Sequence, residues 1–139
     1  MAKRTRKTKL QKLLTSKEEH LYETTFEDCE EWFRVLNREL FNNKLPDIDY
    51  VDIRWRRKAY AYYEYIGDTK DKDFQLTVLN MNKKYKSKKF FVEVLAHEMV
   101  HHYQFVFDEP IGHGKSFERW ADTFNKKGLK LYKVYGDEK

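Results

Sequence analysis

The sequence predicts an α+β fold, in which a small, mostly antiparallel sheet packs on helices. Three observations lead to this class: an amphipathic helical pattern early in the chain, three consecutive segments with strand character, and two helical patterns after them. At 139 residues the chain is long enough to bury one core and too short for two. We therefore expect a single domain over residues 21–139, preceded by a basic, flexible arm over residues 1–20.

The first helix is predicted after Thr24 and Thr25, residue types that commonly cap a helix N-terminus. Apolar residues then recur three and four positions apart, the spacing of one helix face: Phe26, Cys29, Trp32, Phe33, Leu36 and Leu40. The helix should end near residues 41–43, because Pro46 prevents its continuation.

Three strands are predicted between this helix and the next. The first covers residues 48–57, where β-branched and aromatic residues are frequent, and the second is a tyrosine-rich segment over residues 59–66. A polar turn over residues 67–72 leads to the third strand, over residues 74–81, in which apolar side chains alternate between two faces. These three strands form the expected sheet.

The longest helix is predicted from Ser87, a suitable N-cap, to Phe107, since no glycine or proline interrupts the segment. Apolar residues surround this helix on nearly every side, which predicts that it lies at the centre of the fold. After a turn, a further helix is expected over residues 116–127 with Gly128 as its C-cap. A last short strand is expected over residues 129–135.

The central helix carries the motif His-Glu-x-x-His at residues 97–101, and a third histidine, His113, follows between two glycines. Residues four apart lie on one helix face, so His97 and His101 can bind one metal ion together. Glu98 is within reach of a water beside that metal and would act as its general base. Three protein ligands and an open fourth position are typical of catalytic zinc sites, so we predict one catalytic Zn²⁺ ion.

A single histidine on an apolar helix is more often a packed core residue than a metal ligand. Here three of the five histidines have ligand spacing, with the acid in the required position, and this combination favours the metal site. His102 points away from that face and is interpreted as structural, whereas His20 has no evident role. Tyr60, Tyr62 and Tyr103 are candidates for stabilising an oxyanion, although a tyrosine in such a chain is more often a core residue.

The net charge of +5 originates in the N-terminal arm. Seven basic residues and no acid occur over residues 1–17: Lys3, Arg4, Arg6, Lys7, Lys9, Lys12 and Lys17. Such an arm serves either attraction to nucleic-acid phosphates or solubility, and charge alone does not separate the two. A second basic cluster, Lys83–Lys89, precedes and enters the central helix; it can contact an anion such as DNA or form a solvated loop.

Cysteine content and hydropathy restrict the remaining classes. The single cysteine, Cys29, excludes an intrachain disulfide and a cysteine-based zinc ribbon. No apolar run of about 18 residues occurs, and the basic N-terminus is not followed by an apolar segment, so neither a membrane span nor a secretory signal is expected. An intracellular, cytoplasmic location is the simplest interpretation.

The metal segment and its surroundings resemble the SprT-like metalloprotease family, which includes the Spartan-type proteases. The resemblance covers roughly residues 22–127 and rests on three segments: Leu-Ala-His-Glu-Met-Val-His at 95–101, Gly-His-Gly-Lys-Ser-Phe at 112–117 and Phe-Asn-Asn-Lys-Leu-Pro at 41–46. It implies a zincin-like core and a zinc endopeptidase with His113 as third ligand and Glu98 as catalytic acid/base. Because Spartan-type members act on proteins bound or crosslinked to DNA, it also implies a protein substrate and a DNA contact.

Two other functions remain open from the sequence. The first is a nucleic-acid-binding protein with a structural or vestigial zinc site and no proteolysis, for which the basic arm and interleaved tyrosines and lysines would provide the contacts. The second is a different hydrolase on the same metal, such as an amidase or a nuclease. The helical motif favours peptide-bond chemistry, because nuclease sites more often use carboxylates and hard cations.

Overall fold

The computed structural model of the chain describes residues 8–16, 20–57, 59–67 and 75–133. These residues form helices and strands in the following chain order: α1 (Lys9–Thr15), β1 (Tyr22–Glu23), α2 (Phe26–Phe41), β2 (Tyr50–Arg54), β3 (Ala61–Ile66), β4 (Leu76–Asn82), β5 (Lys84–Tyr85), α3 (Lys88–Val106), α4 (Lys115–Glu118) and α5 (Trp120–Lys126). The architecture is α+β, and the predicted fold class is confirmed.

Helix α2 forms where the sequence predicts it. The Thr25 side chain accepts a hydrogen bond from the backbone N–H of Asp28 at 3.1 Å, which satisfies one free amide of the first turn. The helix ends at Asn42, whose φ of 53° is the left-handed conformation that asparagine tolerates. Beyond this cap, the Asn37 side chain bonds both the N–H and the C=O of Leu45, at 3.1 and 2.9 Å, and so fastens the loop to the helix.

The three predicted strands form one sheet in the order β2-β4-β3, with β4 in the middle. Strand β3 pairs antiparallel with β4, whereas β2 pairs parallel with it, in a register that begins at Tyr50 opposite Val78. A separate pair joins β1 to β5, also antiparallel. Among the described strands two pairings are antiparallel and one is parallel, so the three-stranded sheet is mixed. Its middle strand contributes Leu79 and Met81 to the core.

Several short elements differ from the sequence expectation. The strands β2, β3 and β4 are shorter than the predicted segments, and β1 and β5 were not predicted. The strand expected over residues 129–135 is wrong for its described part, residues 129–133, which form no strand. Instead of pairing with a strand, this segment is bonded to α3. The backbone N–H of Lys130 donates to the Glu93 carboxylate at 2.7 Å.

Helix α1 lies inside the segment for which a flexible arm is expected. Side chains of Thr8 and Gln11 form a reciprocal capping box at its start. Leu10 is only 2% exposed and packs into the core, so this part of the arm belongs to the folded domain. Residues 1–7 and 17–19 of the arm lie outside the described residues, and for them the expected flexibility stays a prediction.

Helix α3 passes through the core of the molecule. It begins at the predicted N-cap, where the Ser87 hydroxyl accepts a hydrogen bond from the N–H of Phe90 at 3.1 Å. Its neighbours include α1, α2, α4 and the strands β3, β4 and β5. Most of its side chains are buried, as the apolar residues on nearly every side of the helix predict. The helix that carries the histidine motif is thus supported by both sheets and by other helices.

The helix predicted over residues 116–127 is divided into α4 and α5 at Arg119. Gly128 ends α5 with a φ of 79°, and its N–H and that of Leu129 both donate to carbonyls of the last turn at 3.0 Å. The helix therefore ends at the predicted glycine, which follows the C-cap residue Lys127. Helix α1 packs closely on this turn, since a Cβ at position 128 would lie 2.9 Å from a methyl group of Leu14.

Candidate metal centre

The two histidines of the motif lie on one face of α3, a single turn apart. The Nε2 atoms of His97 and His101 are 3.2 Å from each other. His97 is only 4% exposed, and His101 is half-buried. The spacing of four residues therefore brings the two imidazoles together, as helix geometry requires.

The third histidine reaches the same point from the loop between α3 and α4. His113 Nε2 lies 3.3 Å from His97 Nε2 and 3.2 Å from His101 Nε2. The loop turns at Gly112, whose φ of 145° is a conformation that residues with a side chain rarely adopt. Within the described ranges, these three histidines are the group of ionisable side chains whose atoms lie close enough together to hold a metal ion.

Hydrogen bonds to the outer nitrogens fix the protonation of two of the rings. His97 Nδ1 donates to the C=O of Tyr132 at 2.7 Å, because a carbonyl can only accept. His101 Nδ1 lies 2.9 Å from Gln104 Oε1, which is also an acceptor, so this nitrogen carries a hydrogen as well. In a neutral imidazole the other nitrogen then has a free lone pair. Both Nε2 atoms therefore present lone pairs to the same point.

The spacing of the three Nε2 atoms fits a tetrahedral zinc ion. Zn–N bonds are roughly 2.0–2.1 Å long, so two ligand atoms of a tetrahedron lie roughly 3.3 Å apart. The observed separations of 3.2, 3.3 and 3.2 Å agree with this value. Lone pairs that converge at this distance repel each other unless a cation lies between them. The donor set therefore fits Zn²⁺ with three protein ligands and an open fourth position.

Phe117 packs against all three imidazole rings. The distances between its ring centroid and those of the histidines are 4.8 Å for His97, 5.5 Å for His101 and 4.7 Å for His113. It is 1% exposed and comes from α4, the short helix that follows the third histidine. The phenyl ring restricts the rotation of the imidazoles and excludes water from one side of the group.

Glu98 lies beside the three nitrogens but outside the group that they form. Its Oε2 atom is 3.7 Å from His97 Nε2, and the residue is 3% exposed. Burial raises the pKa of the Glu98 carboxyl to about 8. A cation on the histidines would favour the carboxylate and lower that pKa again. A carboxyl poised in this way can both accept and release a proton near neutral pH.

Burial also keeps the three imidazoles neutral. It lowers the pKa of His97 to about 3, with a smaller contribution from the nearby His101. The pKa values of His101 and His113 are lowered by burial too, and the charge of Lys133 adds to the effect on His113. Because neutral imidazole is the form that binds metals, the group is in its ligand form at neutral pH.

His102, which follows His101 in the chain, is a core residue with a partner on each ring nitrogen. Its Nε2 donates to the C=O of Pro46 at 2.8 Å, and its Nδ1 accepts from the Tyr63 hydroxyl at 2.7 Å. The residue is 1% exposed. These contacts agree with its interpretation as structural.

The three tyrosines considered for oxyanion stabilisation have packing partners of their own. Tyr60 contacts Phe90 edge-on, and the Tyr62 hydroxyl accepts a hydrogen bond from Arg56 at 3.2 Å. Tyr103 packs beside the core cluster. None of these contacts is with the three histidines, so the oxyanion role stays a prediction.

Two partners of the metal-centre histidines were not predicted from the sequence: the side chain of Gln104 and the backbone carbonyl of Tyr132. Gln104 lies three positions after His101, a spacing that places two side chains next to each other on a helix, and this signal could have found it. Tyr132 acts through its backbone carbonyl, which every residue type possesses, so no sequence pattern could have indicated it.

The basic residues considered for an anion contact lie on the surface where they are described. All five lysines of the second cluster are exposed: Lys83, Lys84, Lys86, Lys88 and Lys89. Of the arm, Lys9 and Lys12 fall on α1, where Lys9 forms an ion pair with Glu31; the other five basic residues lie outside the described residues. In the described part of the chain, every helix is too short or too polar to span a bilayer.

The fold and the site together define the class of α+β proteins that present three histidines, two of them from a helical His-Glu-x-x-His motif, towards one metal position. Comparison with family models agrees with this class. The model of the SprT-like family matches residues 29–134, so the chain belongs to the SprT-like family, which is associated with zincin-type metallopeptidases. A search of curated proteins found no match to the chain.

Proposed function

We propose that this protein is a zinc-dependent endopeptidase. The observation that carries the proposal is the convergence of three imidazole Nε2 atoms at 3.2–3.3 Å, with the buried carboxyl of Glu98 only 3.7 Å from one of them. Membership of the SprT-like family supports the same activity. In this proposal His97, His101 and His113 hold the zinc ion, and Glu98 is the catalytic acid/base.

Each of these residues has a defined part in peptide hydrolysis. A zinc ion at this position supplies a Lewis acid that polarises a peptide carbonyl and lowers the pKa of a water molecule. Glu98 takes a proton from the attacking water and delivers it to the leaving amine. The surrounding apolar side chains exclude bulk water, which strengthens the electrostatic interactions of Glu98 with the reacting groups.

The position of β3 supports a protein substrate. This strand pairs with β4 along one edge and packs along α3, the helix that carries the motif. Among the described strands it is at the end of its sheet, so its other edge is available to backbone groups of an extended peptide. Pairing of that kind selects an unfolded segment of a protein and aligns it with the helix beneath.

The decisive experiment compares protein cleavage by the zinc-loaded wild type and by Glu98→Gln. We expect the variant to retain zinc and to lose roughly 10²–10⁴-fold in rate, the usual contribution of a general acid/base. Glu93→Gln is the matched control, because Glu93 is a buried acid on the same helix and glutamine keeps an oxygen for the Lys130 N–H. Full activity of zinc-loaded Glu98→Gln would contradict the assignment.

A contact with DNA is a second proposal, carried by the basic N-terminal segment and by the exposed lysines of Lys83–Lys89. Under it, the substrate is a protein bound or crosslinked to DNA. Cleavage of a DNA-binding protein should then increase when single-stranded DNA is added, and the increase should disappear at high salt. Salt-sensitive DNA binding without proteolysis would favour the alternative, a nucleic-acid-binding protein with a vestigial zinc site. Cleavage at the same rate with and without DNA would contradict the proposed DNA contact and leave the proposed peptidase activity intact.

A further inference from the structure

We propose that Gln104 is a positioning residue of the metal centre, which sets the protonation of one ligand and the position of another. The inference rests on the proposed zinc site and extends it to a side chain that touches neither metal nor substrate. Its basis is a set of hydrogen bonds that join α3 to the loop carrying the third histidine.

The Gln104 side chain is fully buried and all of its hydrogen-bonding capacity is used. Its Oε1 accepts from His101 Nδ1 at 2.9 Å and from the N–H of Gly112 at 3.3 Å. Its Nε2 donates to the C=O of Gly112 at 3.1 Å and to the Ser116 hydroxyl at 3.0 Å. A primary amide offers two lone pairs and two hydrogens, so each finds one partner.

The orientation of the amide is determined by the backbone. The N–H of Gly112 can only donate and its C=O can only accept, so Oε1 must face the first and Nε2 the second. The reversed amide would place a donor against the N–H of Gly112. The oxygen is therefore held on the His101 side, where it requires a hydrogen on His101 Nδ1. The lone pair of His101 Nε2 is thereby directed to the metal position.

The same side chain fixes the loop that delivers His113. Gly112 immediately precedes this ligand, and Ser116 lies one turn further, in α4. The backbone of Gln104 also contributes, since its C=O accepts from the N–H of Glu109 at 2.8 Å. One residue thus connects a ligand on the helix with a ligand on the loop, and it sets the separation that zinc requires.

The alternative is that Gln104 only fills space and fastens a loop. Three substitutions separate these roles. Gln104→Met keeps the volume and removes every hydrogen bond of the side chain. Gln104→Glu keeps an acceptor for His101 Nδ1 but has no hydrogen for Gly112 and Ser116. Ser116→Ala removes one loop contact and leaves the His101 contact intact.

The test measures zinc affinity by competition with a chelator, together with thermal unfolding of the zinc-free proteins. We expect Gln104→Met to weaken zinc binding by roughly 10–100-fold, the usual effect of losing an outer partner of a metal-binding histidine. Gln104→Glu should lose less, and Ser116→Ala should stay within about threefold of the wild type. Long-range ¹H–¹⁵N NMR spectra of the zinc-free wild type should show His101 protonated on Nδ1, and Gln104→Met should lose this preference.

Three results overturn the inference and leave the zinc peptidase intact, and the third concerns Ser116→Ala. One is a folded Gln104→Met protein that binds zinc as tightly as the wild type. Another is a wild-type His101 that carries its hydrogen on Nε2, a result that does not require any variant to fold. By contrast, a wild type that neither binds zinc nor cleaves protein overturns the proposed function, and with it this inference. If Ser116→Ala weakens zinc binding as much as Gln104→Met does, the loop contact alone accounts for the effect and the His101 role is wrong.

Discussion

His101 and His102 are neighbours in the chain, and their surroundings differ in one decisive way. Both lie on the same helix, His102 buried and His101 half-buried, and burial lowers the pKa of both imidazoles. His102 has a protein partner on each ring nitrogen, namely the C=O of Pro46 and the hydroxyl of Tyr63. His101 has such a partner on Nδ1, whereas its Nε2 faces two other imidazole nitrogens.

The comparison shows that burial alone does not distinguish a structural histidine from a metal ligand. The cluster around His102 is complete, because each donor meets an acceptor. At His101 the pairing is incomplete, because its Nε2 and that of His97 are both acceptors and lie 3.2 Å apart, and a cation between them resolves the conflict. The hydrogen-bonding pattern of the second ring nitrogen therefore separates the two roles.

The largest expected effect is on zinc affinity, when His101 and His102 are each replaced by alanine in separate variants. His101→Ala removes a ligand and should weaken zinc binding by roughly 10³-fold or more, beyond the 10–100-fold typical of an outer partner. His102→Ala should leave zinc affinity within about threefold but lower the free energy of unfolding by about 2–4 kcal/mol, since it opens a cavity and removes the acceptor of the Tyr63 hydroxyl. Chelator competition and thermal unfolding measure the two quantities. Equal loss of zinc affinity in both variants would break the distinction.

The next effect is the pH dependence of the zinc-free protein. Burial raises the pKa of Glu98 from 4.5 to about 8, so the folded state holds this proton more tightly than the unfolded state. Stability from Glu98 is therefore present below pH 4.5 and is lost as the pH rises towards 8. The lowered pKa of His97 acts in the opposite sense, but only below its ordinary value of 6.5.

Between pH 6.5 and 8 the contribution of Glu98 is accordingly separate from that of His97. Over this window it should lower the free energy of unfolding of the zinc-free wild type by about 2 kcal/mol. Glu98→Gln should not show this loss. Unfolding curves in the presence of a chelator, at half-unit steps of pH, provide the measurement. Parallel pH profiles for the two proteins would show that Glu98 is already ionised in the folded state.

A smaller loss of zinc affinity is expected when the segment after α5 is removed. The carbonyl of Tyr132 fixes the Nδ1 hydrogen of His97, as Gln104 does for His101. A chain that ends at Leu129 loses this carbonyl, and its zinc affinity should fall by roughly tenfold. A chain that ends at Lys133 retains the contact and is the matched control. If both shortened chains bind zinc equally well, the orientation of His97 does not depend on this segment.

The smallest effect is expected at Phe117. Replacement by leucine keeps an apolar side chain but removes the ring face that packs against the imidazoles. We expect a cost of about 1–2 kcal/mol in the free energy of unfolding and a loss of only a few-fold in zinc affinity. Calorimetry with and without zinc measures both. A loss as large as that of His101→Ala would mean that the ring does more than restrict the imidazoles.

The features that the sequence predicts correctly depend on residues close together in the chain. The helices α2 and α3 are indicated by apolar spacing and by the capping residues Thr25 and Ser87, which act within a few positions of themselves. The three histidines are predictable for a similar reason, because two of them are one helical turn apart and the third follows at a short distance.

The features that the sequence could not predict depend on distant parts of the chain. The pair β1–β5 consists of two residues in each strand, and Tyr22 lies opposite Tyr85 across more than sixty positions of the sequence. The parallel pairing of β2 with β4 depends on which strand occupies the middle of the sheet. The outer partner of His97 is a backbone carbonyl 35 residues away. Contacts of this kind leave no periodicity in the sequence.

The short distance from His97 to His113, 16 positions in the chain, has a consequence for synthesis and folding. Strands β2, β3 and β4 all precede α3 in the chain, so the sheet leaves the ribosome before the helix that covers it. The loop between the histidines is short, and closing it costs little chain entropy. The metal centre can therefore assemble as a local event within the last part of the chain to be synthesised, once α3 packs on the sheet.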